Sequence, residues 1–91
     1  MTQPLAGKHI LIVEDEPVFR SLLDSWLSSL GATTALAGDG IDALEIMMGM
    51  KPDLMICDLA MPRMNGLALV EHLRNEGDQT PVLVISATEN M

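Results

Sequence analysis

Compact apolar runs alternate along the chain with stretches whose apolar residues recur every three or four positions. His9 to Val13 (HILIV) is the first run, and its consecutive β-branched and aliphatic side chains predict a strand covered on both faces. Glu14, Asp15, Glu16 and then Pro17 follow, a proline behind acids being a helix-start signal. Val18, Phe19, Leu22, Leu23, Trp26, Leu27 and Leu30 then recur at helical spacing up to a natural stop at Gly31. That stripe is expected to face a sheet, with Trp26 in the helix–sheet interface. A weaker strand covers Thr33 to Leu36, and Gly38-Asp39-Gly40 makes a turn with Asp39 as a helix cap. Ile41, Leu44, Ile46, Met47 and Met48 mark a short helix ended by Gly49 and Pro52. Leu54 to Cys57 (LMIC) reads as a third strand, Asp58 to Asn65 as a loop, Leu67 to Asn75 as a third helix, and Val82 to Ile85 (VLVI) as a fourth strand.

The order βαβαβαβ predicts a parallel sheet with right-handed crossovers. With 91 residues and no repeat, low-complexity tract or linker, one domain is expected. The fourth strand is apolar on both faces and so belongs inside a sheet, yet the sequence ends at Met91. These residues are therefore expected to be part of a longer domain; the other reading is a small complete domain with an unusually apolar last strand. Left uncovered, the flank of the first helix and the edge of the fourth strand are expected to drive association into a dimer or swapped oligomer.

Charge narrows the functions. Five Lys and Arg against 13 Asp and Glu give a net charge of −8. Lys8, Arg20, Lys51, Arg63 and Arg74 are scattered and form no basic stripe, which argues against nucleic-acid or anionic-membrane binding. Arg63 is placed to touch a partner. The apolar fraction of 48% excludes a disordered chain, and with only Phe19 and Trp26 as aromatics the core must be aliphatic and methionine. Met47, Met48, Met50, Met55, Met61 and Met64 read as core gap fillers. The lone Cys57 cannot form an internal disulfide and reads as a small apolar residue; with no signal peptide in MTQPLAGKHI and no membrane-length run, a cytoplasmic location is expected.

In a parallel α/β sheet, ligands sit beyond the carboxyl ends of the strands. Glu14 and Asp15 follow the first strand, Asp58 the third and Ser86 the fourth. If the first and third strands are neighbours, three carboxylates converge, and their repulsion is relieved by a hard divalent cation. Oxygen donors few enough to leave waters in place suit Mg²⁺ better than Ca²⁺, and no His or Cys cluster suits zinc. A carboxylate beside Mg²⁺ can act as a ligand only, or attack phosphorus to form an acyl phosphate. Each piece also has an ordinary meaning, the acidic pair as a helix cap and Asp58 as a turn residue, and the residues alone leave these readings level.

Three motifs in order change that balance: Ile12-Val13-Glu14-Asp15-Glu16, the run Asp58-Leu59-Ala60-Met61-Pro62-Arg63-Met64-Asn65-Gly66, and Ile85-Ser86-Ala87. Together, over residues 8–91, the chain resembles the receiver domain of two-component response regulators. The resemblance implies a flavodoxin-like (CheY-like) α/β fold with helices on both faces, here reaching the fourth strand, so that residues 1–91 form a partial receiver domain. It implies that Asp58 accepts a phosphoryl group from a histidine kinase or small phosphodonor, with no catalysis beyond that self-modification. It further implies that Asp15, Asp58 and the Ala60 carbonyl ligate Mg²⁺, that Glu14 acts mainly through bound water, and that Ser86 is the switch hydroxyl. The family's conserved lysine and aromatic switch residue would lie beyond Met91. Within the family, the wording of VEDEPVFRSLLDSWLSSLGATT and PDLMICDLAMPRMNGL is similar to adaptors that deliver the stationary-phase sigma factor to the ClpXP protease.

Rival classes fit less well. A dehalogenase-type phosphatase needs a second acid two residues after the nucleophile, where Ala60 stands, and a dinucleotide site needs a G-x-G-x-x-G run where EDEPVF stands. An interaction module with vestigial acids, or a receiver with another output such as a transcription factor, remains the alternative.

Overall fold

The most apolar run of the sequence forms the middle of the sheet. In the computed structural model, which describes residues 3–59, 61 and 63–85, His9–Val13 is β1 and has a neighbour on each side. The elements in chain order are β1, α1 (Pro17–Ser29), β2 (Thr33–Ala37), α2 (Gly40–Met47), β3 (Leu54–Asp58), α3 (Gly66–Asn75) and β4 (Val82–Ile85). All pairings are parallel, in the order β2-β1-β3-β4. This is the flavodoxin-like α/β arrangement that the motifs implied.

Alternation along the strands divides the core. Ile10, Ile12 and Ile56 point to the face covered by α1, where Leu27 and Ala32 join them. Leu11, Val13, Met55 and Cys57 point to the other face, against Ala43 of α2 and Leu69 and Leu73 of α3. Ile10 through Val13 are buried without a break, because a central parallel strand with helices on both faces has no solvent side. Met55 and Met61 are core residues and Met47 and Met64 pack against the core, as gap fillers should. Met48 departs from that expectation: it is the C-cap residue of α2, beyond the stripe that faces the sheet, and is exposed.

The same device starts each helix. Glu16, Asp39 and Asn65 accept, through a side-chain oxygen, the backbone N–H of Phe19, Asp42 and Ala68 respectively, each at 2.9 Å. Asp39 is the cap the sequence predicts, whereas Asn65, read as the end of a loop, is the residue that begins α3.

Trp26 is a correction. Expected in the helix–sheet interface, it is 59% exposed, and Val18 and Leu22 are exposed with it. Seven apolar positions on α1 span too wide an arc for one contact line. The line against the sheet contains Leu23 and Leu27. Asp24 anchors the β2 side of the helix, its Oδ1 accepting the Thr34 hydroxyl at 2.5 Å. Positions 18, 22 and 26, four apart, form a separate solvent-facing stripe on α1. Leu83 and Val84 of β4 are also exposed. Among the described residues, no helix is long and apolar enough to cross a membrane.

Candidate functional site

The register of the sheet builds the site. Val13 stands opposite Cys57, so the residues that leave β1 emerge beside the end of β3. Glu14 is still held as if in the sheet, its N–H donating to the Ala37 carbonyl at 3.0 Å. Its side chain turns inward and is almost fully buried, while Asp15 is exposed. Asp58, the last residue of β3, is buried. One carboxylate oxygen from each of Glu14, Asp15 and Asp58 lies within 4.8 Å of the others. The convergence of these residues, a condition in the sequence reading, is therefore met.

Around them the backbone leaves little slack. A Cβ on Gly66 would lie 2.5 Å from the Asp58 carbonyl oxygen, so only glycine lets α3 start this close to the end of β3. The Gly66 N–H closes the intervening loop onto the Leu59 carbonyl at 3.1 Å, and the Leu59 N–H donates to the Ile85 carbonyl at 2.9 Å. Ala60, Pro62 and Ser86, expected as a carbonyl ligand, a loop stiffener and the switch hydroxyl, lie outside the described residues.

The electrostatics are those of a place that resists anions. Burial raises the Glu14 carboxyl above its ordinary value; the Glu16 N–H, donating to Oε2 at 2.9 Å, opposes this, and the charges of Asp58 and Asp15 add to it. Desolvation first, then the charges of Asp58 and Glu14, push the buried Cys57 thiol up to about 11, which keeps it a neutral apolar residue. Glu14 Oε1 is buried and has no hydrogen-bond partner among the described residues. A buried acceptor without a partner, in an all-oxygen cluster of like charges, fits a hard divalent cation.

Sequence reasoning missed the ties behind the acids. Arg20 Nη1 donates to the Glu14 carbonyl at 2.8 Å. Arg63, placed by its sequence position to touch a partner, also forks onto Asp39, Nε to Oδ2 at 2.6 Å and Nη2 to Oδ1 at 3.2 Å, and reaches Asp42 Oδ1 at 3.1 Å. The Arg63 guanidinium holds the Asp39 carboxyl below its usual range. No local spacing signals a pair 24 residues apart, and Asp39 was legible only as a cap.

Comparison with known proteins gives one consistent result. The response regulator receiver domain family matches residues 10–91. The chain is 81% identical over all 91 residues to the Regulator of RpoS of Escherichia coli K12, of which those residues are 27%. It is 40% identical over 83 residues, 91% of the chain, to the response regulator MprA of Mycobacterium ulcerans, covering 36% of that protein. The chain thus spans about a quarter to a third of the curated relatives it matches. Among solved structures, a Francisella response regulator receiver domain superposes with a TM-score of 0.86 at 26% identity, covering 93% of this chain and 70% of that one. Response regulator TrrA of Thermotoga maritima, in complex with Mg²⁺–BeF, gives 0.83 at 32% identity, covering 90% and 71%.

The raised Glu14 carboxyl makes a signed prediction. The folded chain holds that proton more tightly than the unfolded chain, so stability from this group is present below the ordinary glutamate range and is lost as pH rises through the folded value. In metal-free buffer at pH 7, Glu14→Gln should therefore raise the melting temperature, and the gain over wild type should vanish as pH falls towards 4, the ordinary range of about 4.3. A variant that melts lower than wild type at pH 7 contradicts the assignment.

Proposed function

The chain belongs to the response regulator receiver domain family, and from that premise we propose that it is a phosphoacceptor switch in which Asp58 takes a phosphoryl group. The observation that carries the reading is the convergence of Glu14, Asp15 and Asp58, with carboxylate oxygens within 4.8 Å of one another, from two neighbouring strands. Mg²⁺ would be held by Asp15, Asp58 and the Ala60 carbonyl, with Glu14 acting mainly through water, and when bound it would neutralise charge on the phosphoryl oxygens. An Asp58 carboxylate oxygen attacks phosphorus in line with the donor bond. A new O–P bond forms as the donor's P–N or P–O bond breaks, and the leaving group keeps that electron pair. Donors are a histidine kinase or a small acyl phosphate. The Ser86 hydroxyl donates a hydrogen bond to the transferred group.

Converting the Asp58 carboxylate to an acyl phosphate adds about one negative charge and three acceptor oxygens, which biases two packings of the domain and changes a partner surface. The resemblance to the Regulator of RpoS supports an output through protein contacts, not DNA. In the longer protein of which residues 1–91 form a partial receiver domain, those contacts would be with the stationary-phase sigma factor and ClpXP, in the cytoplasm. Such a domain is a signalling element whose only chemistry is its own phosphorylation.

Incubating the full chain with acetyl phosphate and Mg²⁺ should add one phosphoryl mass, absent from Asp58→Ala and from samples with a chelator. An adduct that persists in Asp58→Ala, or no adduct on the wild type, contradicts the reading and favours an interaction module with vestigial acids.

The exposed stripe Val18, Leu22, Trp26 and the exposed Leu83 and Val84 also support self-association of the 91-residue chain. Sedimentation velocity should show a dimer or larger species growing with concentration, lost on Trp26→Ser with Leu22→Ser; a concentration-independent monomer contradicts it.

A further inference from the structure

The loop from Leu59 to Asn65 connects the proposed acceptor to α3, and it is fastened sideways to an element with no residue in the acidic cluster. Arg63 forks onto both oxygens of Asp39, the N-cap of α2, and its Nη2 reaches Asp42 Oδ1 in the first turn. One residue on, the Met64 carbonyl accepts the Gly40 N–H at 3.2 Å. Gly40 has no room for a side chain, because a Cβ there would lie 2.7 Å from Met64 Cβ. Two residues further, Gly66 rests against the Asp58 carbonyl. Asp42 closes the circuit, its Oδ2 accepting the Gly38 N–H at 3.3 Å from the loop before α2.

The fork has a particular geometry. Asp39 is buried and already accepts the Asp42 N–H, so it is a fixed anchor rather than a mobile surface acid. Arg63 is more than half exposed, and an isolated pair of that kind contributes little to stability. Its consequence is positional: a planar guanidinium on two oxygens fixes orientation as well as distance.

We propose that Arg63 is a positioning residue for the phosphoacceptor site: its fork to Asp39 and Asp42 holds the acceptor loop against the start of α2 and thereby fixes the backbone that follows Asp58 beside the acidic cluster. The proposal rests on the phosphoacceptor reading and deepens it. The pair acts through the loop and touches no reacting atom.

The sign of one measurement separates position from charge. Removing a cation near an acidic cluster makes the site more negative, which by charge alone tightens Mg²⁺ binding. Loss of positioning weakens it. In the full chain, Arg63→Ala should weaken Mg²⁺ binding by roughly tenfold, the scale seen when groups that orient metal ligands are removed. It should also slow phosphorylation by acetyl phosphate at saturating Mg²⁺. Arg63→Lys, a single point of charge without the fork, should recover only part of both losses, and Asp39→Asn should reproduce them in part. Circular dichroism checks each fold, and Arg63→Gln and Arg63→Lys carry the test if Arg63→Ala does not fold. Unchanged or tighter Mg²⁺ binding in folded variants, or a lower melting temperature with unaltered binding and rate, overturns the positioning role while leaving Asp58 as acceptor. A wild type that neither binds Mg²⁺ nor gains the adduct removes the phosphoacceptor reading itself, and this inference with it.

Discussion

Carboxylates held within a few ångströms repel one another, and the pairing of β1 with β3 brings the buried Glu14 and Asp58 and the exposed Asp15 together. Val13 opposite Cys57 is a statement about backbone hydrogen bonds, yet it decides where the charges go. A slip of one residue would turn Ile10 and Ile12 to the opposite face of the sheet. The two-faced core forbids that slip, because Ile10 and Ile12 on one face and Leu11 and Val13 on the other are all buried. Burial of aliphatic side chains thus holds the acids together against their repulsion, which a bound cation would relieve.

The surroundings of the cluster have the same logic. Glycine at position 66 allows α3 to begin against the Asp58 carbonyl, and Asn65 caps the helix at that point. Arg20 holds the Glu14 carbonyl, and Arg63 ties the following loop to α2. Two of the chain's five basic residues therefore fix backbone around the acids instead of neutralising them. The buried Glu14 Oε1 keeps no partner among the described residues.

Much of this was legible in the chain. Periodicity located every element to within a residue or two, because strands buried on both faces and helices with one apolar stripe leave strong patterns. The acids could be read because they follow strands, and strand ends in a parallel sheet share one edge. Trp26 was misplaced because spacing tells which residues share an arc, not how wide an arc the sheet will cover. The Arg63–Asp39 fork was invisible because it depends on two loops meeting, which no local rule encodes.

The central claim is that the three carboxylates form one site for a hard dication. A Mg²⁺ titration of the isotope-labelled chain, followed through backbone amide shifts, tests it directly. The account predicts saturable shifts concentrated at residues 14–16 and 57–59, fitting one site and abolished in Asp15→Asn. Shifts that rise without saturation, or that spread over Asp24, Asp42 and Glu45 as much as over the cluster, would contradict it.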